Sequence, residues 1–141
     1  MSLSSHDIAV RWFEEVWNKG RLEAVDERAT PDAKCYGFPQ PESVLGREEF
    51  KEYVLEFRRS FTHVHLSVDE TVSEDSRVAV RWTGTMQHTG SGLGFPATGK
   101  VVNVHGMSLM HLRGELISEG WNALDLGSIV HFLSALSARQ H

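Results

Sequence analysis

The residues of this chain that could move a proton or hold a ligand are few and scattered. Asp125 follows the last strand-like stretch and immediately precedes an amphipathic helical pattern, so its carboxylate can accept the first free N–H groups of that helix. Capping is the default role for Asp at such a place, and acid–base catalysis is the alternative. His88 lies in Gly84-Thr85-Met86-Gln87-His88-Thr89-Gly90, on the apolar side of its strand with Val80, Trp82 and Met86. A histidine so placed is either hydrogen-bonded core or a ligand contact at a pocket rim. His63-x-His65 could present two imidazoles on one strand face, but no third ligand is evident, so no metal is expected. His6, His131 and His141 offer no constellation. Cys35 is the only cysteine, which excludes an intramolecular disulfide and a multi-cysteine zinc site. With no histidine nearby in sequence it reads as a small buried hydrophobe. Gly90-Ser91-Gly92-Leu93-Gly94 lacks the spacing of a dinucleotide loop, is followed by Pro96 and opens no helix. A glycine-rich turn between two strands is sufficient for it.

The elements that must position these residues are legible from hydrophobic period. Ser4-x-x-Asp7 resembles a capping box, and Ile8, Ala9, Trp12, Phe13, Val16 and Trp17 follow at helical spacing up to Asn18-Lys19-Gly20. A shorter helix is expected over about 22–28, stopping before Thr30-Pro31. A third opens after Gly46 with Phe50, Tyr53, Val54, Phe57 and Phe61 as its buried stripe. The period then switches to two. Val64, Leu66 and Val68, then Val78, Val80, Trp82 and Met86, predict half-buried strands. Residues 98–112 and 115–124 predict a further pair, and 126–138 a last helix. Helices, then a strand meander, then one helix is an α+β order. Ser108 and Asn122 are expected on one face of the late strands. His105, Met107, Leu109, His111, Ile117 and Trp121 are expected on the other. Both faces are thus apolar, and a second copy of the chain covering the outer one is the economical reading.

Composition narrows the function classes. The chain has 141 residues, a length that predicts a single domain over 1–141. Its formal charge of −5 argues against nucleic acid and against a polybasic membrane surface. No apolar run approaches a membrane span, and Met1-Ser2-Leu3-Ser4-Ser5 has neither the basic nor the apolar region of a signal peptide. The expectation is a cytoplasmic protein.

Taken in order, several stretches resemble successive landmarks of the SnoaL-like polyketide cyclase family. They are Phe13-Glu14-Glu15-Val16-Trp17-Asn18-Lys19-Gly20, Pro31-Asp32, Gly46-Arg47-Glu48-Glu49-Phe50, the Gly84–Gly90 motif, Gly94-Phe95-Pro96-Ala97-Thr98-Gly99-Lys100 and Trp121-Asn122-Ala123-Leu124-Asp125. That family falls in the nuclear transport factor two-like superfamily, with ketosteroid isomerase and limonene epoxide hydrolase. The resemblance runs from about Val10 to Leu136. It implies a cone-shaped, curved antiparallel sheet, N-terminal helices over its concave face, a C-terminal helix, a deep apolar pocket and commonly a homodimer. The family's cyclases close a ring in an ester-bearing polyketide without metal or organic cofactor. A carboxylate on the last strand is their base, assisted by a histidine on the preceding strand. Here those positions hold Asn122 and Ser108. Neutral Asn can donate to an oxyanion but cannot take the substrate proton. Candidate catalytic residues are therefore Asn122, Asp125 and His88, with Trp17, Tyr53, Phe57, Trp82, Ser108 and Asn122 as candidate pocket lining. The resemblance implies a protein for a small hydrophobic ligand. It would be either a cofactor-free cyclase, isomerase or hydrolase-type enzyme acting on an apolar carbonyl substrate, or a noncatalytic binder.

Overall fold

A computed structural model describes residues 3–140; Met1 and Ser2 of the opening stretch, and His141, lie outside the described residues. Ser4 starts the first helix, α1 (Ser5–Trp12), its hydroxyl oxygen accepting the Asp7 N–H at 3.1 Å. The helix does not continue as expected to Asn18. Phe13–Asn18 widens into a π-helical stretch, closed by Lys19 N–H to Glu14 O at 3.0 Å, before Gly20 takes a left-handed φ of 66°. Phe13, Val16 and Trp17 are buried within that wider turn, and Asn18 Nδ2 donates to Glu14 Oε2 at 3.0 Å. The Asn18 amide then meets Leu66 twice: its Nδ2 donates to Leu66 O at 2.9 Å and its Oδ1 accepts Leu66 N–H at 2.7 Å.

α2 (Glu23–Arg28) and α3 (Arg47–Ser60) fall where the sequence puts them. Glu49 accepts the Gly46 N–H at 3.0 Å ahead of α3. Phe61, read as the end of the third helix's stripe, instead opens a strand. The strands are β1 (Ala29–Tyr36), β2 (Val44–Leu45), β3 (Phe61–Glu74), β4 (Arg77–His88), β5 (Val101–Arg113) and β6 (Leu116–Ala123), followed by α4 (Leu126–Gln140). They form one mixed sheet in the order β2-β1-β6-β5-β4-β3. The antiparallel expectation holds from β3 to β6. The parallel pairing of β1 with β6 corrects it at the other end. Neither β1 nor β2 is legible as a period-two run, because Thr30-Pro31-Asp32 reads as turn.

Val78, Val80, Trp82, Met86, Val102, Val104, Met110 and Leu112 face α1, the π-helical stretch and α3 in one buried cluster. On the outer face Val101, Met107 and Leu109 are 56%, 55% and 37% exposed. A register shift between His111 and Leu112 moves Ile117 to the inner face, buried opposite Leu112, and so corrects its expected outer placement. Among the described residues no helix is long and apolar enough to cross a membrane, and no cluster of three His, Cys, Asp or Glu side chains could hold a metal ion.

Candidate functional site

Register alone puts Ser108 directly opposite Asn122, the first on β5 and the second on β6, with Val80 and Trp82 on the neighbouring β4. A directional chain of hydrogen bonds follows. Trp82 Nε1–H, which can only donate, meets Ser108 Oγ at 3.2 Å, and the Ser108 hydroxyl in turn donates to Asn122 Oδ1 at 2.8 Å. Asn122 Nδ2 then donates to Tyr36 O at 3.0 Å and to Cys35 Sγ at 3.3 Å, both at the end of β1. A donor-only indole at one end and an acceptor-only carbonyl at the other fix which way the amide faces. Two glycines allow close packing around it, one against the Trp82 ring and one against the Asn122 main chain. A Cβ on Gly106 would stand 2.5 Å from the Trp82 ring, and one on Gly37, whose φ is 100°, 2.2 Å from Asn122 O. Burial pushes the Cys35 thiol up to about 12, against the Asn122 hydrogen bond that favours its charge, so the sulfur is a neutral acceptor.

Three spaces lie along the concave side. Two small inner spaces come first: one of about 50 Å³, lined by Trp12, Lys34, Cys35, Arg47, Phe50 and Met110 among others, and one of about 30 Å³ beside it. Trp17, Phe38 and Asn122 belong to both walls. Trp17, Tyr53, Phe57, Trp82, Ser108 and Asn122, named from the sequence as lining, all surround the second space. Phe38, which sequence reasoning missed in its Gly–Pro loop, stacks on Tyr53 at 5.2 Å and meets Trp17 edge-on at 5.9 Å. The inner spaces have room for a water rather than a drug-sized molecule. A third chamber of about 460 Å³ opens beyond Tyr53, Phe57 and Leu126, which also line the second space. Its other walls include Pro39, Phe61, Leu93 and Ile129, together with Gln40, Glu56, Ser60 and Asp125. Desolvation holds the Tyr53 hydroxyl protonated, its pKa raised well above the ordinary tyrosine value.

The three catalytic candidates are not brought together. Asn122 belongs to the inner spaces and Asp125 to the rim of the outer chamber, while His88 lines none of the three. Asp125 caps α4: Oδ1 accepts the Ser128 N–H at 3.0 Å and Oδ2 the Ser128 hydroxyl at 2.6 Å. Those two bonds hold its carboxyl below the usual range. His88 is wholly buried, with Nδ1 against Thr98. On the outer face Trp121 stacks on Tyr36 at 5.0 Å and meets His111 at 4.7 Å, and Glu119 accepts the Tyr36 hydroxyl proton at 2.8 Å. The hydrogen bond to that carboxylate raises the Tyr36 pKa.

Comparison with solved structures gives the same architecture throughout. A candidate polyketide cyclase from Acidithiobacillus ferrooxidans is 26% identical with a TM-score of 0.78, over 96% of this chain and 99% of that one. A candidate SnoaL-like polyketide cyclase from Jannaschia sp. CCS1 is 22% identical with a TM-score of 0.81, over 96% and 98%. A protein of ketosteroid isomerase-like fold from Catenulispora acidiphila, solved in complex with trimethylamine, is 17% identical with a TM-score of 0.72, over 96% and 95%. Comparison with curated proteins returned no match. Residues 7–131 match the sequence model of the SnoaL-like polyketide cyclases, and the chain belongs to that family.

Proposed function

We propose that this protein binds a small, mostly apolar molecule in the 460 Å³ chamber between α3, α4 and the loops at residues 37–41 and 92–93. The observation that carries the reading is the chamber's lining. Tyr53, Phe57, Phe61, Leu93, Leu126 and Ile129 supply apolar walls beside two carboxylates, Glu56 and the α4 cap Asp125, and the space beyond narrows to a neutral hydrogen-bond chain. Binding without proton abstraction at Asn122 fits that chemistry, since both of its amide N–H groups already have protein acceptors. The second reading is a cofactor-free cyclase or isomerase acting on an apolar carbonyl compound. Family membership favours it, and the base would then have to be a group other than Asn122.

Methyl-resolved NMR with a naphthalene-sized ketone tests the proposal. Saturable shifts concentrated on Leu93, Leu126, Ile129 and Val130 are expected. Shifts confined to Val101, Met107 and Leu109 on the outer face would instead place binding outside the chamber. Proton–deuterium exchange at the ketone's acidic carbon separates the two readings: no acceleration is expected for a binder, and acceleration would make the protein an enzyme.

A further inference from the structure

Among the described residues, one buried side-chain polar atom has no hydrogen-bond partner, and it is Nε2 of His88. The other ring nitrogen is fully specified. Thr98 N–H donates to Nδ1 at 3.1 Å, and Thr98 Oγ1 lies 3.0 Å from it. That hydroxyl oxygen itself accepts the Lys100 N–H at 3.2 Å, which leaves its proton free to donate to Nδ1 as well. A nitrogen that faces an N–H donor must offer a lone pair, so the ring's proton sits on Nε2. Burial lowers the ring's pKa, against a backbone contact at Gly90 that raises it, and keeps this neutral form at neutral pH. Nε2–H therefore has a backbone contact at Gly90 but no hydrogen bond of proper geometry, an arrangement that is rare in buried sites and unfavourable unless something else is gained.

The surroundings indicate what could supply the acceptor. The imidazole lies between Phe61, at 5.6 Å, and Phe95, at 5.5 Å. Phe61 also lines the outer chamber, as does Leu93, two residues before Phe95. His88 thus stands one ring behind the chamber wall. Phe95 rides on the loop at residues 89–100, whose flanks are tied down. Gly90 N–H donates to Ser60 O at 3.1 Å, and Pro96 O accepts the Ser137 hydroxyl proton at 2.8 Å. Between those anchors the tip folds on itself through Gly94 N–H to Ser91 O at 3.0 Å.

We propose that His88 is the polar anchor of the chamber, its Nε2–H donating to a carbonyl oxygen of the ligand when the Leu93–Phe95 tip moves aside. The inference rests on the outer chamber being the ligand site. It narrows the ligand to an apolar ketone, aldehyde or ester. A neutral buried donor rewards an uncharged acceptor, whereas an ionised carboxylate would be buried there without a countercharge.

Two probes that share a ring system decide the matter: 2-acetylnaphthalene, which carries the acceptor, and 2-ethylnaphthalene, which does not. Wild type is expected to prefer the ketone by about tenfold in Kd, the worth of one hydrogen bond. In His88→Phe that preference disappears while the hydrocarbon still binds. A ketone preference that survives His88→Phe overturns the anchor and leaves the chamber standing. Binding of neither probe to wild type overturns the chamber reading and the anchor with it. A measurement on wild type alone guards against a variant that does not fold. The Nε2–H proton and nitrogen signals of His88 should move on addition of the ketone and not of the hydrocarbon. Identical responses to both probes overturn the proposal.

Discussion

Both amide N–H groups of Asn122 point at protein acceptors and its oxygen accepts a hydrogen bond from Ser108, so the side chain braces β6 against the end of β1. Putting a carboxylate there would not restore a ready base. In Asn122→Asp one oxygen replaces Nδ2 at 3.0 Å from the Tyr36 carbonyl, where only a protonated acid can donate. The folded-state pKa of the new Asp is therefore raised, so its stability contribution is present below the unfolded value near 4 and lost as pH rises. The variant is expected to lie close to wild type at pH 4 and about 3 kcal/mol below it at pH 7.5, measured by denaturant midpoints. An equal penalty at both pH values would contradict the directional chain. Cys35 provides a second reading of the same contact. With its thiol pushed up to about 12, almost no thiolate exists at pH 8. Iodoacetamide should label native protein orders of magnitude more slowly than unfolded chain, and fast native labelling would place the sulfur elsewhere.

At the scale of elements, α4 depends on its first turn, where Asp125 holds Ser128 through both carboxylate oxygens. Asp125→Ala should lower the melting temperature and speed hydrogen exchange at the Ser128 amide, whereas Asp125→Asn should recover most of both, because its carbonyl oxygen can still accept. Equal losses in the two variants would show that the negative charge, rather than the cap, matters. The same elements show what a sequence discloses. The meander from β3 to β6 is legible because one face is buried and alternation records it, as in Val78, Val80 and Trp82. Ser108 and Asn122 follow from that register, and the six lining residues named from sequence fall around one space. Strand β1 is not legible, since Pro31 and Asp32 mimic a turn and its pairing with β6 slips between Ala29 and Lys34. Nor is the widened turn at Phe13–Asn18, where side-chain type stays helical while the hydrogen bonds change. The face of Ile117 is not legible either, because a bulge shifts alternation by one residue without changing composition. Cys35 enters the site through a contact 87 positions distant in sequence, which no local pattern encodes.

For the whole molecule, the apolar outer face of β4–β6 is the surface on which we propose that a second copy docks. Val101, Met107 and Leu109 stand out on it, while charges around it are paired within the chain, Arg81 with Glu70 and Arg113 with Asp32. A near-neutral apolar face suits an isologous contact, in which the same patch serves both partners. Light scattering should give twice the chain mass of 15.9 kDa for wild type and the single mass for a Met107→Glu/Leu109→Glu variant. A monomeric wild type at the same concentration would refute the contact. The remaining exposure of a sheet is its rim, and here the Asn18 amide has a further consequence. It occupies both backbone groups of Leu66 on β3, the last strand in the order. A free N–H and C=O on an end strand form a template for lateral chain addition. With that template blocked at its middle, a second chain has no free backbone there to pair with, so the helix turn that shapes the interior also closes this part of the rim to lateral growth.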